Sequence, residues 1–179
     1  MKKNTFSAAI LTAALSFSVL FMAPATCHAQ YEQLPENRKV GAKITNVKLP
    51  DMKGKMHDLT SYVGKGKVVL IDFWATWCRP CCMEMPNVKV AYDKYKKKGF
   101  NVVGISFDTK KNDWVNYVKE NQYNWTHLSD IKGWKSAAQA AYSVMAIPSS
   151  ILVDGKGKII ANDLRGEELA NKLKEIYGY

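Results

Sequence analysis

The 179-residue sequence has few cysteines and few histidines, and it has no internal repeat or low-complexity segment, which excludes a repeat architecture. Three of its four cysteines lie within five positions, so they cannot form the spread-out disulfide framework of a small secreted protein. The three histidines, His28, His57 and His127, lack the spacing of metal ligands. We therefore expect redox chemistry from the cysteines, with neither a metal nor another cofactor.

Acidic residues are also scarce relative to basic ones. The chain has 26 lysines and arginines against 16 aspartates and glutamates, a formal charge of +10. The lysines are scattered, and the one cluster, Lys94 with residues 96–98, falls at the end of a predicted helix, where cations complement the helix dipole. We interpret the surplus as solvated surface charge and expect no nucleic-acid partner.

The first 29 residues have the pattern of a secretory signal peptide. Two lysines near the start precede an apolar run at 6–22, and small residues lead to Ala29. This pattern predicts cleavage after Ala29, which leaves a mature chain of about 150 residues, enough for one domain. Export places the protein in the periplasm or another extracytoplasmic compartment, where close thiols oxidise to a disulfide.

Two alternatives to cleavage fit these residues less well. A retained membrane anchor is disfavoured because the apolar run is short for a span and ends in small residues. Lipoprotein anchoring through Cys27 is the second, and Ala25 and Thr26 match the site for that modification poorly.

Alternating strand and helix patterns follow a lead-in at 30–45. The apolar, β-branched run at 67–73 predicts a buried parallel strand, and the segments 80–98 and 101–107 complete a βαβ unit. We predict an α/β fold over 46–179, a three-layer sandwich with a central mixed β-sheet flanked by helices. The remaining predicted elements are an extended stretch at 31–39, an edge strand at 46–49, helices at 112–121, 133–143 and 167–177, and hairpin strands at 151–153 and 158–160.

The cysteine cluster falls where the first buried strand ends and the helix begins, the usual place for a site in an open α/β sheet. Unpaired backbone N–H groups of the first helical turn stabilise a thiolate, and Arg79 adds a positive charge. Such surroundings lower a thiol pKa from about 8.5 to between roughly 3.5 and 7.5. Trp77 shields one side of the sulfur, so we predict Cys78 as the nucleophile.

The partner of Cys78 is Cys81 or Cys82. Helical spacing puts both Cα atoms within disulfide range of Cys78, so distance alone does not decide. Successive side chains leave a helix about 100° apart, and Pro80 pre-shapes the shorter bridge, so we expect Cys81 to be the resolving residue. Cys82 is then a small helix residue, with a third redox thiol as the alternative.

The segment FWATWCRPC at 73–81 resembles the active-site signature of thioredoxin-like thiol-disulfide oxidoreductases. CCMEMP at 81–86 resembles their exported TlpA/ResA branch, and YSVMAIPSSILVD at 142–154 is similar to its second signature. The resemblance runs from about residue 41 to the C-terminus. It implies a thioredoxin fold in which Pro148 is cis and Ile147 faces the sulfurs, with Ser149 where threonine is commoner.

Two carboxylates near this motif are candidate proton carriers. Asp72 lies in the apolar strand, where burial raises a carboxyl pKa, and it is a candidate proton carrier for Cys81. Glu84 follows Cys81 by one helical turn, and the resemblance places it beside the active-site cavity. The alternatives are a polar group on an edge strand for Asp72 and a solvated helix residue for Glu84.

Together these features predict a monomeric thiol-disulfide oxidoreductase that works through a mixed disulfide. Proline before the second cysteine is typical of the reducing members, so we expect a reductase of exported protein disulfides. The resemblance implies a membrane-embedded thiol carrier as electron donor and apocytochromes c among the targets.

Two other functions remain open at this point. A thiol peroxidase of the peroxiredoxin class shares the fold and the opening at 41–67, but it needs a threonine and proline cradle that precedes a single cysteine and is absent here. A Cu(I)-binding module is the other, because three clustered thiols are soft ligands.

Overall fold

The computed structural model describes residues 34–178 of the chain. The predicted signal peptide, with the alternative lipidation site Cys27, lies outside the described residues. Within 34–178, no helix combines the length and apolar character needed to cross a membrane.

Seven strands and four α-helices make up the described fold. They are β1 (Lys48–Pro50), β2 (Met56–Asp58), β3 (Val68–Trp74), α1 (Arg79–Tyr95), β4 (Phe100–Ser106), α2 (Lys111–Glu120), β5 (Thr126–Leu128), α3 (Ala137–Tyr142), β6 (Ser149–Val153), β7 (Ile159–Asn162) and α4 (Gly166–Tyr177). Short 3-10 helices lie at Glu36–Arg38, Leu59–Tyr62, Lys96–Lys98 and Gly133–Lys135.

Five of the strands form the central sheet, in the order β5-β4-β3-β6-β7. β3 runs parallel to β4 and antiparallel to β6, so the sheet is mixed and β3 is its middle strand. All seven residues of β3 are buried, because its side chains other than Asp72 are apolar and both faces are covered. The predicted α/β fold with a mixed sheet flanked by helices is confirmed.

The helix that follows β3 starts at the cysteine motif and packs against α4. Its buried face consists of Cys81, Met85, Val88, Ala91 and Tyr95, which recur every three or four residues as an amphipathic helix requires. The chain leaves the helical segment at Gly99, whose φ of 98° is a left-handed conformation that glycine adopts without steric cost.

Four secondary-structure predictions need correction. The strand predicted at 46–49 is not an edge of the central sheet, because β1 pairs with β2 in a separate two-stranded sheet. β2 and β5 were not predicted, since three residues are too few to show a period. The helix predicted at 133–143 is a 3-10 turn followed by α3, which begins where Ser136 Oγ accepts a hydrogen bond from Ala138 N. The lead-in is not wholly extended, because it contains the 3-10 turn Glu36–Arg38.

Candidate active site

The site is built around a disulfide between Cys78 and Cys81, with an S–S distance of 2.01 Å and a Cα–Cα distance of 5.2 Å. Cys78 is the N-cap of α1, and its Sγ accepts a hydrogen bond from Cys81 N at 3.3 Å. One backbone N–H group of the first helical turn therefore points at this sulfur. The predicted pairing is confirmed.

The two sulfurs differ in accessibility. Both residues are buried, Cys78 at 6% and Cys81 at 1% exposure, so Cys78 is the more accessible residue of the pair. Three exposed neighbours surround it: Trp77, Arg79 and Pro80. These three residues form the exposed rim of the site.

An aromatic residue from another segment extends this rim. The ring of Trp77 lies 6.3 Å from that of Trp134, which in turn lies 5.4 Å from Phe107. Trp134 belongs to the 3-10 turn between β5 and α3, and it was not singled out in the sequence, because an isolated tryptophan carries no local signal.

The loop between β3 and the disulfide is fixed by a buried aspartate. Asp108 accepts hydrogen bonds from Thr76 N at 3.2 Å, from Thr76 Oγ1 at 2.6 Å and from Ser106 Oγ at 2.7 Å. Asp108 was not predicted as a site residue. Its place just after β4, beside the strand that carries the motif, is the signal that could have found it, since sites form at this edge of the sheet.

Cys82 is a free, half-buried thiol that contributes to the same loop. Its Sγ lies 3.3 Å from the carbonyl oxygen of Thr76 and 3.8 Å from that of Ala75, as a donor. Burial raises the pKa of Tyr117, and the neighbouring Cys82 adds to that effect. Cys82 takes no part in the disulfide, in agreement with its interpretation as a small helix residue.

The Ile147–Pro148 peptide bond is cis, as the resemblance implies. Ser149, which follows it, accepts a hydrogen bond from Arg38 Nη2 at 3.0 Å and donates one to Asp163 Oδ1 at 2.7 Å. The serine hydroxyl therefore has partners on both sides, so the departure from threonine leaves the loop anchored.

Arg38 brings the N-terminal lead-in into the site region. The residue is buried, and its Nη2 lies 3.5 Å from Asp163 Oδ1. Its carbonyl oxygen accepts a hydrogen bond from Asn162 Nδ2 at 2.9 Å. The lead-in is thus part of the packed structure around the cis-proline, a role that its sequence did not indicate.

Asp72 lies in the middle of the sheet, opposite Gly104 of β4 and Ser150 of β6. Its interpretation as a polar group on an edge strand is therefore wrong. Burial raises its pKa to about 7, the negative charge of Glu84 adds to the shift, and Arg165 opposes it. Within the described part of the chain, no donor makes a hydrogen bond to this carboxylate, which explains why the neutral form is favoured.

Glu84 is half-buried and anchored to another segment. Its Oε1 accepts a hydrogen bond from Gly166 N at 2.8 Å, and its Oε2 accepts one from Asn87 Nδ2 at 2.9 Å. Glu84 and Asp72 line a common cavity of about 10 Å³, close to the space that one water molecule needs. The interpretation of Glu84 as a merely solvated helix residue does not hold.

The two described histidines lie outside this cluster and serve other contacts. His57 lies 3.0 Å from Asp51 Oδ2 and 2.8 Å from the hydroxyl of Tyr62. His127 is buried, which lowers its pKa to about 4, and its Nε2 lies 3.0 Å from the carbonyl oxygen of Tyr123. Over residues 34–178, no three histidine, cysteine or carboxylate side chains are grouped as metal ligands.

Comparisons with known proteins agree with this geometry. The sequence model of the AhpC/TSA family matches residues 40–162, more than half of the chain. The thiol-disulfide oxidoreductase ResA of Bacillus cereus is 33% identical over 176 residues, which cover 98% of this chain and 96% of that protein. ResA of Bacillus subtilis is 30% identical over 125 residues, 70% of this chain and 67% of that protein.

The fold is also similar to solved structures of proteins that exchange thiols and disulfides. The thioredoxin domain of a thiol-disulfide oxidoreductase from Bacteroides vulgatus superimposes with a TM-score of 0.70 at 32% identity, covering 78% of this chain and 98% of that chain. A thiol:disulfide interchange protein from a Bacteroides species also gives a TM-score of 0.70, at 31% identity, covering 80% of this chain and 93% of that one.

Proposed function

Since this chain belongs to the AhpC/TSA family and is a thiol-disulfide oxidoreductase of the ResA type, we propose that it is an exported reductase of protein disulfides. The observation that carries the proposal is the Cys78–Cys81 disulfide at the start of α1, in which Cys78 is the less buried residue. A redox-active dithiol needs one sulfur that attacks the target disulfide and a second sulfur that then attacks the mixed disulfide.

The first step starts from the reduced protein. The Cys78 thiolate attacks one sulfur of a target disulfide, a mixed disulfide forms, and the other target sulfur leaves as a thiolate. The first turn of α1 and the charge of Arg79 support the thiolate at Cys78. Trp77 is proposed to shield one side of the Cys78 sulfur.

The second step releases the target. Cys81 loses its proton and attacks Cys78 Sγ, the Cys78–Cys81 disulfide forms, and the second target sulfur leaves reduced. Two electrons pass from the protein to the target. Asp72 is proposed as the proton acceptor for Cys81, because a carboxyl whose pKa is about 7 takes up and releases protons near neutral pH. Glu84 is proposed to connect that proton to solvent across the shared cavity.

The setting of the reaction is part of the proposal. Residues 1–29 are proposed to direct export and to be removed, residues 30–45 to form the lead-in, and residues 46–179 to form the catalytic domain of a monomer. Because each turnover leaves the disulfide form, a donor must return two electrons, and a membrane-embedded thiol carrier fits an oxidising compartment. Apocytochromes c are the proposed targets, among other exported proteins with disulfides.

Trapping of mixed disulfides tests this function. A Cys81→Ser variant is expected to remain bound through Cys78 to exported proteins, which reductant then releases for identification. Cys78→Ser with Cys81→Ser is the negative control, and Cys82→Ser with Cys81→Ser is expected to trap as well as the single variant. Capture of small thiols alone contradicts the proposed substrates.

A thiol peroxidase is the second candidate, because the family match over 40–162 includes the opening shared with the peroxiredoxin class. Reduction of insulin disulfides by the dithiol form, without turnover of hydrogen peroxide, is expected for the reductase. Peroxide-dependent turnover that survives Cys81→Ser indicates the peroxidase instead.

A further inference from the structure

The loop between β7 and α4, residues 163–165, and the first residue of α4, Gly166, contact each part of the site that lies around the cis-proline. This segment was not singled out in the sequence, because its residues carry no motif of their own. Its hydrogen bonds link Asp163 Oδ1 to Ser149 Oγ and Ser150 N, Leu164 O to Ser150 Oγ, Arg165 Nη2 to Pro148 O, and Gly166 N to Glu84 Oε1.

Arg165 occupies a central position in this loop. Its guanidinium donates to the carbonyl oxygen of Pro148, and its side chain lines the cavity that Asp72 and Glu84 share. One side chain therefore contacts both the cis-proline segment and the space between the two carboxylates. The remainder of Arg165 is exposed.

The charges that face Asp72 are few. Of the elements packed against its strand, β4 and β6 place the uncharged Gly104 and Ser150 opposite it. α1 contributes the negative charge of Glu84, and the β7–α4 loop contributes the positive charge of Arg165. The two cysteines at the start of α1 titrate only after the disulfide is reduced.

We propose that Arg165 is a positioning residue of the exchange reaction, which fixes the cis-proline carbonyl and supplies the positive charge beside the Asp72 and Glu84 pair. The proposal rests on the proposed function, because it assigns Arg165 to the proton transfer that Asp72 performs. Without this charge, the neutral form of Asp72 is favoured further, and the carboxylate form that accepts a proton appears only at higher pH.

The size of the effect follows from the exposure of Arg165. An opposite charge next to a carboxyl lowers its pKa by one to three units when the pair is close and poorly hydrated. Solvent screens an exposed guanidinium, so we expect its removal to move the Asp72 titration upward by about half a pH unit to one pH unit.

Two substitutions separate the charge from the hydrogen bond. Arg165→Gln removes the charge but keeps an N–H donor for the carbonyl of Pro148, whereas Arg165→Lys keeps the charge and loses the planar guanidinium. Arg165→Met is a second neutral variant that preserves the apolar stem. Lys172→Gln, at a half-buried position of α4 where the lysine pairs with Glu175, lowers the net charge by the same amount and is the matched control.

The test measures the Asp72 titration directly, by NMR of the oxidised full chain with ¹³C-labelled aspartate, using Asp72→Asn to assign the signal. Arg165→Gln and Arg165→Met are expected to raise the midpoint, and Arg165→Lys and Lys172→Gln to leave it in place. Equal midpoints in wild type and Arg165→Gln overturn the proposal. An upward shift in Arg165→Lys or Lys172→Gln as large as the one in Arg165→Gln also overturns it.

A second readout is the pH profile of single-turnover insulin reduction by the prereduced protein. Arg165→Gln is expected to move the rise in rate to higher pH by the same amount and to have no such effect in the Asp72→Asn background. A shift that persists in that background overturns the proposal. If wild type does not reduce insulin, the proposed function fails, and the NMR titration still decides the role of Arg165.

Discussion

Two aspartates near the site are buried, Asp72 within β3 and Asp108 just after β4, and their surroundings differ. Asp108 accepts hydrogen bonds from the backbone and hydroxyl of Thr76 and from Ser106 Oγ. Asp72 has no such donor among the described residues and lies beside a second carboxylate, Glu84.

The difference indicates which carboxylate is structural and which is able to carry protons. A buried carboxylate with its lone pairs satisfied stabilises the loop that it binds, and here that loop leads directly to Cys78. A buried carboxylate without donors takes up a proton at neutral pH, as the raised pKa of Asp72 shows. We therefore call the Asp108, Thr76 and Cys82 group the structural side and the Asp72, Glu84 and Pro148 group the proton side.

The largest expected effect is on the pH dependence of stability. The pKa of Asp72 is raised from 3.8 to about 7, so the folded protein keeps a proton that the unfolded chain releases, and its stability falls as pH rises from about 4 to 7. Asp72→Asn removes this loss, and we expect it to stabilise the oxidised protein at pH 8 by on the order of 3 kcal/mol relative to wild type.

Urea unfolding of both proteins at pH 5 and pH 8 checks this expectation. The advantage of Asp72→Asn is expected to be larger at pH 8. If the free energies of unfolding of wild type and Asp72→Asn differ by the same amount at pH 5 and pH 8, the assignment of Asp72 to the proton side is contradicted.

The next effect is on the reaction itself. Loss of the proton acceptor in Asp72→Asn is expected to slow insulin reduction at pH 8 by about 100-fold, which corresponds to about 2.7 kcal/mol, and to remove the rise in rate near pH 7. Single-turnover rates across pH give both values. A variant with the full wild-type profile excludes Asp72 as the acceptor.

A smaller effect is expected on the structural side. Asp108→Asn keeps one acceptor oxygen but loses the charge that strengthens the hydrogen bonds from Thr76, so we expect a loss of about 1–2 kcal/mol in the free energy of unfolding. Urea unfolding measures it, and Thr76→Ser, which keeps both donors, is the control. If Asp108→Asn is more stable than wild type, Asp108 behaves like Asp72, and the proposed difference between the two aspartates is wrong.

The smallest effect is expected at Cys82. Cys82→Ser preserves a donor for the carbonyl oxygen of Thr76, so the change in stability is expected to be below about 0.5 kcal/mol, with insulin reduction within twofold of wild type. A large loss of activity, together with a Cys82 disulfide found by mass spectrometry, supports the third redox thiol and contradicts the assignment of Cys82 to the structural side.

The two sides also differ in how much of each the sequence predicts. The disulfide and the cis-proline lie in contiguous motifs. Side-chain direction on the helix and Pro80 favour the pairing of Cys78 with Cys81, and the family resemblance implies the cis bond. Asp72 and Glu84 were predicted as well, because a charged residue in an apolar strand and one a helical turn after the motif are local signals. Asp108, Arg38 and Arg165 were not, because each acts through a contact with a residue far along the chain.

The sequence by itself determined the longer strands and helices and the sulfur chemistry of this protein, since strand and helix periodicity, helix N-terminal geometry and a four-residue cysteine motif depend on neighbours a few residues away. Only the tertiary structure decided that β3 is the middle strand, that Asp72 and Glu84 share one cavity, and that Arg165 faces them. Burial and charge proximity are properties of packed segments, and they fix the pKa of a carboxyl only after strands and loops distant in sequence have come together.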